Sequence, residues 1–217
     1  MNYVLAGRTI GQVLGRSGGA AAVPWWLYGG VTPFAAYAPK GAASLADSYI
    51  NLANPGTYDA SPAITAPTFS TATGWTMLNS PLYTGANNAA SIVPAVGWTI
   101  LVKFLNAAAN GGLFAVTGNY RWTIWPNTTS GVDFLYAGVD NYSSPAMTAG
   151  VVGFAGNKAY RDGTLAKTLS GTPTMSYLRI GRGVDAGRYF DGIISSVWIA
   201  DTTLDAAQVA TQSAAMP

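Results

Sequence analysis

From Pro33 onward, apolar and polar residues alternate in short runs separated by turn-forming residues. In the run from Trp98 to Phe104, a strand places Trp98, Ile100, Val102 and Phe104 on one face and Thr99, Leu101 and Lys103 on the other. That period of two marks a half-buried β-strand. Comparable runs cover residues 112–116, 120–125, 132–136, 151–155, 177–180 and 192–199. Asn110-Gly111, Asn127-Thr128, Ser143-Ser144-Pro145, Asp162-Gly163 and Gly181-Arg182-Gly183 punctuate them. Many short strands divided by such turns predict an antiparallel sandwich or barrel. No strand is followed by a helix long enough for a crossover connection, which argues against the parallel α/β classes.

One helix is predicted, at the end of the chain. Thr202 or Thr203 offers an N-cap, Asp205 falls in the first turn, where the helix dipole favours negative charge, and residues 206–215 are rich in helix formers. Three turns would present Leu204, Ala207, Val209, Ala210 and Ala214 as a narrow apolar side.

Residues 1–32 differ from the rest. They hold Arg8 and Arg16, no acidic residue, two glycine clusters and the run Val23-Pro24-Trp25-Trp26-Leu27-Tyr28. The glycines and Pro24 oppose a long helix. In an extended segment the two adjacent tryptophans point to opposite faces, so both are buried only when both faces are covered. The segment reads either as an edge strand with a linker or as an extended arm that docks on a neighbouring subunit through Val23, Pro24, Trp25, Trp26, Leu27 and Tyr28. The domain organisation expected is therefore an arm over 1–32 and a sandwich over 33–217. Met1-Asn2-Tyr3 lacks a positive n-region, and Arg8 and Pro24 interrupt the apolar stretches, so no signal peptide is expected.

Composition narrows the chemistry. Of the 217 residues 49% are hydrophobic and 9% charged, with a net charge of +2 and no Cys or His. Thiolate nucleophiles, Ser–His–Asp triads and the usual zinc and iron–sulfur ligand sets are excluded. All nine carboxylates are Asp. The thin positive charge does not make a nucleic-acid surface, and no window holds the ~18 uninterrupted apolar residues a membrane helix needs. Soluble domains average about 25% charged residues. The deficit here points to a surface covered by other copies or by a larger body, or to an uncharged polar surface.

The C-terminal third carries a recognisable succession: Tyr160-Arg161-Asp162-Gly163, then Tyr177-Leu178-Arg179-Ile180-Gly181, then Phe190-Asp191-Gly192-Ile193-Ile194, then residues 204–215. It resembles the laminin-G-like, concanavalin A-like lectin domain, in which a tyrosine–x–Asp–Gly hairpin, a strand ending in Ile-Gly, a Phe-x-Gly-x-Ile strand and a closing short helix follow in that order. The opening half fits less specifically, with Phe34 to Tyr37 as a first core strand and 74–77 with 82–85 as a hairpin. The resemblance covers about residues 33–216 and implies an all-β, antiparallel jelly-roll β-sandwich with one short C-terminal helix, beside the extended N-terminal arm. In overall character the chain is also similar to virion proteins of tailed bacteriophages, that is, capsid decoration, head-fibre or tail-fibre subunits.

Glycoside hydrolases occur in this fold class, and their usual paired Glu residues are missing. Apart from Asp201 and Asp205 at the helix start, no two Asp sit two or four apart in a strand candidate, so no catalytic residue is assigned. Laminin-G-like domains often bind calcium. Asp133, Asp140, Asn141 and Asp185 are oxygen donors for it, but no Asp-x-Asp cluster concentrates charge, so neither a metal nor another cofactor is expected. Aromatic faces next to Asn and Asp suit carbohydrate. Trp125, Tyr136, Asp140, Asn141 and Tyr142 form the candidate glycan set, with Trp122 and Trp125 facing opposite ways and one of them in the core.

The expected function is a non-enzymatic bacteriophage structural protein, a capsid decoration or fibre subunit. It would dock through its arm on capsid or tail proteins or on copies of itself, at the virion surface, and present its sandwich to cell-surface glycans. The alternative is a free-standing carbohydrate-binding, lectin-like module. A hydrolase stands only if an unusual Asp pair meets in space.

Overall fold

The structure, a computed structural model, describes residues 23–95, 97–116, 122–171, 176–183 and 188–217. The first 22 residues of the expected arm, the start of the run at Tyr120, and Asp185 lie outside them.

In chain order the elements are a 3₁₀ turn (Trp25–Leu27), β1 (Ala35–Tyr37), α1 (Leu45–Ser48), β2 (Ser61–Pro62), β3 (Thr68–Ser70), β4 (Gly74–Met77), β5 (Leu82–Tyr83), β6 (Thr99–Leu105), β7 (Phe114–Val116), β8 (Trp122–Thr128), β9 (Gly131–Tyr136), β10 (Tyr142–Ser143), β11 (Gly150–Ala155), β12 (Lys158–Arg161), β13 (Thr164–Thr168), β14 (Leu178–Ile180), β15 (Gly192–Ala200) and α2 (Ala206–Ala215). One sheet runs β13-β12-β11-β6-β15-β4-β3, with β1 also paired to β15. The second runs β10-β9-β8-β7-β14-β5-β2. Neighbouring strands are antiparallel, and the two sheets pack face to face as the all-β sandwich expected.

The alternation read in β6 holds: Ile100, Val102 and Phe104 join Trp75, Phe114, Trp122, Phe134 and Phe154 in the core between the sheets. Leu101 faces the opposite way. The β12–β13 hairpin turns at Asp162 and Gly163, which take φ of 46° and 76°, the left-handed values that Asp-Gly supplies at low cost. Asn127-Thr128 does not form a turn. β8 continues through both, and the chain reverses at Thr129-Ser130.

Residues 74–77 and 82–85 do not form a hairpin. β4 pairs with β3 and β15, and β5 with β2 and β14, so the chain crosses between sheets over 78–81. Two short runs close in sequence look like hairpin arms, yet each found better burial in a different layer.

The outer face of the β15 sheet is itself covered. Leu101, Val151, Tyr160, Trp198, Leu204, Val209 and Met216 form a second apolar cluster, against which Trp25 and Trp26 pack half-buried. The segment at 25–27 is thus a helical turn and not extended. Both indoles share one side, with their rings edge to face at 6.0 Å. The Trp198 indole N–H donates to the Trp26 carbonyl at 2.9 Å. Gln212, fully buried, donates to the Trp25 carbonyl and accepts from the Gly29 N–H, both at 3.1 Å.

Helix α2 is found where predicted, but its cap is Asp205, in a capping box with Gln208. Thr203 instead donates to the Gly97 carbonyl. The buried side of the helix is Val209, Gln212, Ser213 and Met216, while Ala207, Ala210 and Ala214 are exposed. Alanines add little to burial, so the larger side chains set the helix rotation. Among the described residues, no helix is long and apolar enough to cross a membrane.

Candidate functional site

With one sheet sealed by α2 and the 25–27 turn, the polar chemistry collects on the outer side of the other. Period two along β9 sends Val132, Phe134 and Tyr136 into the core and leaves Asp133 and Leu135 on the outer side. Register then sets Trp125 on β8, Asp133 on β9 and Tyr142 on β10 directly opposite one another. This row brings together three aromatic and acidic side chains from strands separated by turns.

Asp133 is its centre. The side chain is 1% exposed, its Oδ1 accepts the Asn141 backbone N–H at 3.2 Å, and its Oδ2 has no hydrogen-bond partner. Burial, helped by the nearby Asp140 carboxylate, pushes its pKa up to about 6, while the Asn141 N–H and the Tyr142 side chain pull it down. The same neighbourhood acts on Tyr142. Asp133 first, then burial and Asp140, raise its hydroxyl above the ordinary range, and Arg188 opposes them. These four groups therefore share one field. Tyr142 is 40% exposed, and the turn before it exposes Val139 and Asp140. The Asn141 side chain ties that turn to the Val139 carbonyl at 3.0 Å.

Trp125 is half-buried beneath Arg188, whose guanidinium lies 4.5 Å from the ring centre. Gly183 stands beside the indole: a Cβ there would lie 3.2 Å from Trp125 Nε1. The tryptophan pair divides as expected, Trp122 in the core and Trp125 outside it.

Of the candidate set, Trp125, Asp140, Asn141 and Tyr142 gather around this row. Tyr136 does not belong to it. It is fully buried, edge to face with Trp122 at 6.1 Å, and takes no part in a surface. The period of β9 already carried that assignment, and also marked Asp133, weighed only as a calcium donor, as the residue facing Tyr142's side of the sheet. Among the described residues no group of three acidic side chains is arranged to hold a metal. Asp185 lies outside them. Open clefts occur elsewhere, at 56–61 with 85–90 and at 32–34 with 53–58.

The raised Asp133 pKa has a stability consequence. The folded state binds this proton more tightly than the unfolded chain, whose ordinary value is 3.8, so between about pH 4 and 6 it holds the larger share of protons. Its contribution makes stability fall as pH rises through that window. Asp133→Asn is expected to flatten the fall and raise the melting temperature at pH 7 above that of the parent, measured by thermal denaturation from pH 3.5 to 7.5. Parallel profiles for the two proteins would show that Asp133 does not carry the effect.

No family model matches the chain, and no curated protein does. Among solved structures it is similar to Trypanosoma rangeli sialidase in complex with 2,3-difluorosialic acid, with a TM-score of 0.56, 13% identity and coverage of 83% of this chain and 32% of that one. A mutant of the same sialidase displaying trans-sialidase activity gives a TM-score of 0.55 at 13% identity, with the same coverage. Domain 4 of AbnA, a GH43 extracellular arabinanase from Geobacillus stearothermophilus, solved in complex with arabinotriose, matches with a TM-score of 0.55 and 13% identity over 84% of this chain and 98% of that one. The chain thus spans 32% of the sialidase chains and nearly all of the arabinanase domain. These likenesses establish the β-sandwich fold.

Proposed function

We propose that the chain is a non-enzymatic, lectin-like module that binds glycans through the outer side of the β8–β9–β10 sheet. The observation that carries this reading is the Trp125–Asp133–Tyr142 row, in which the 40% exposed Tyr142 ring stands in register with the half-buried Trp125 beside the polar Asp140-Asn141 turn. Tyr142 supplies an apolar face for a sugar ring, Arg188 and Asn141 flank it with polar groups, and Asp133 orders the β9–β10 turn by holding the Asn141 N–H. The fold shared, at 13% identity, with a domain solved with arabinotriose supports the reading.

Binding fits this chemistry better than hydrolysis. Asp133 and Asp140 are close enough to interact, but Asp133 is buried, whereas a glycosidase sets its two carboxylates across an accessible bond. Tyr142→Ala is expected to weaken binding on a glycan array roughly tenfold, the loss of about one stacked ring, at an unchanged melting temperature. Absence of any glycan binding by the parent would sink the proposal, and sugar release that Asp133→Asn abolishes would replace it with a hydrolase.

A second reading is supported by the sparse charge and by the exposure of Val23 and Tyr28, 55% and 51%, beside the 25–27 turn. In it the module is a virion subunit, held through this segment to capsid or tail proteins or to its own copies. A defined oligomer in light scattering that Val23→Ser with Tyr28→Ser dissolves, with the 25–27 turn left in place against Trp198 and Gln212, supports it, and a strict monomer removes the self-association.

A further inference from the structure

Among the described residues two strongly buried side chains carry charge, Asp133 and Arg179. The second has no role in the row above. Arg179 lies on the outer side of β14, opposite Ala115 of β7 and Tyr83 of β5, and is 8% exposed. Its guanidinium stacks on two rings, 5.2 Å from the Tyr83 centre and 5.0 Å from that of Tyr177. Nε and Nη2 both donate to Asn88 Oδ1, at 3.2 and 2.9 Å, and Nη2 makes a long contact of 3.4 Å to the Tyr177 hydroxyl.

All of these partners are neutral. A buried cation without a counter-charge among the described residues is costly to keep when its only task is to fill space. Here two rings and an amide fix the guanidinium plane, and the edge formed by Nη1 and the outer side of Nη2 makes no short hydrogen bond to a described residue. That edge is a preorganised fork of the kind that takes a carboxylate through two parallel bonds. On the far side of Tyr83, in register, stands Ser61, which lines the open cleft with Gly85, Ala86 and Ala90. Asp59 borders the same cleft, but its oxygens are held by the backbone N–H groups of Asn51 and Gly56.

We propose that Arg179 anchors a second subsite, between Tyr83 and Tyr177 and adjoining this cleft, that takes the carboxylate of an acidic sugar such as a hexuronate unit. The choice of a sugar rests on the glycan-binding reading above. The carboxylate requirement rests on Arg179 alone.

The test is calorimetric titration of the full chain with trigalacturonate and with its neutral counterpart, galactotriose, beside the glycan array. The parent should bind the acidic trisaccharide more tightly, and Arg179→Gln should lose that advantage by roughly tenfold to a hundredfold, the range of a charge-assisted bond. Arg179→Lys, which keeps the charge but not the fork, should lose most of it. Should Arg179→Gln fail to fold, Asn88→Ala and Tyr177→Phe leave the guanidinium in place and should each weaken only the acidic ligand. Equal affinities for the two sugars, or acidic binding indifferent to all these variants, overturns the subsite. Neutral glycans bound through Tyr142 with no preference for the uronate would leave the glycan reading intact and end this one. Uronate binding lost in Arg179→Gln, on an otherwise blank array, would keep the subsite and remove the Tyr142 site.

Discussion

Phe154→Ala is expected to cost about 3–5 kcal/mol of unfolding free energy, the range for removing a fully buried phenylalanine and leaving a cavity. Phe154 projects from β11 into the core, where its ring stands 6.1 Å from Phe114, 5.2 Å from Trp122, 5.9 Å from Phe134 and 5.8 Å from Tyr136. Those four belong to β7, β8 and β9 of the opposite sheet, so this one side chain joins the layers. The rigid rings around it cannot collapse far into the space it leaves. Urea denaturation should show a lower midpoint at an unchanged m-value. A loss below about 1 kcal/mol would mean that the cage relaxes and that the sheets are held together elsewhere.

Gly153→Ala should fail for the opposite reason. The residue faces away from the core, on the side closed by Leu101 and Tyr160, and an added Cβ would lie 1.9 Å from the Ile100 carbonyl oxygen and 2.8 Å from Leu101 Cδ2. Backbone of the adjacent strand cannot give way as a flexible side chain would, so β11 and β6 must part along a six-residue register. The expected cost is about 3 kcal/mol, the upper end for overpacking, or roughly 10 °C in melting temperature for a chain of this size. Hydrogen exchange should quicken first in the amides of β6 and β11. An unchanged melting temperature would show that the strands separate without penalty. The two variants are neighbours in sequence and share β11, so their effects should not add.

That Trp125, Asp140, Asn141 and Tyr142 lie near one another was legible in local signals. Asn141 and Tyr142 follow a turn, Asp140 sits in it, and Trp125 is out of phase with the core residue Trp122. Tyr136 was misplaced because its aromatic character outweighed its phase with Val132 and Phe134, both of which are core residues. The packing around Arg179 has no local mark in the sequence. Its partners Tyr83 and Asn88 are more than ninety residues away in sequence, and only strand register brings them to it.

What the sequence determined by itself is the type of the longer strands, of the 158–168 hairpin and of the closing helix. Period-two runs, Asp162-Gly163 with its left-handed pair and the helix formers after Asp205 are encoded within a few residues, and the chain folds into strands, a hairpin and a helix accordingly. Partner choice and facing belong to the tertiary structure. The shift of register between Ile194 and Ser196 places Ile194, Val197 and Ile199 in the core and Trp198 on the other side, an assignment strict alternation would reverse. It is this facing of Trp198, with Gln212, that seats the 25–27 turn and seals one sheet, leaving the polar row to the other. Local propensity fixes what these segments form. Which neighbours they meet is settled by the burial available across the whole fold, and that depends on residues far away in the chain.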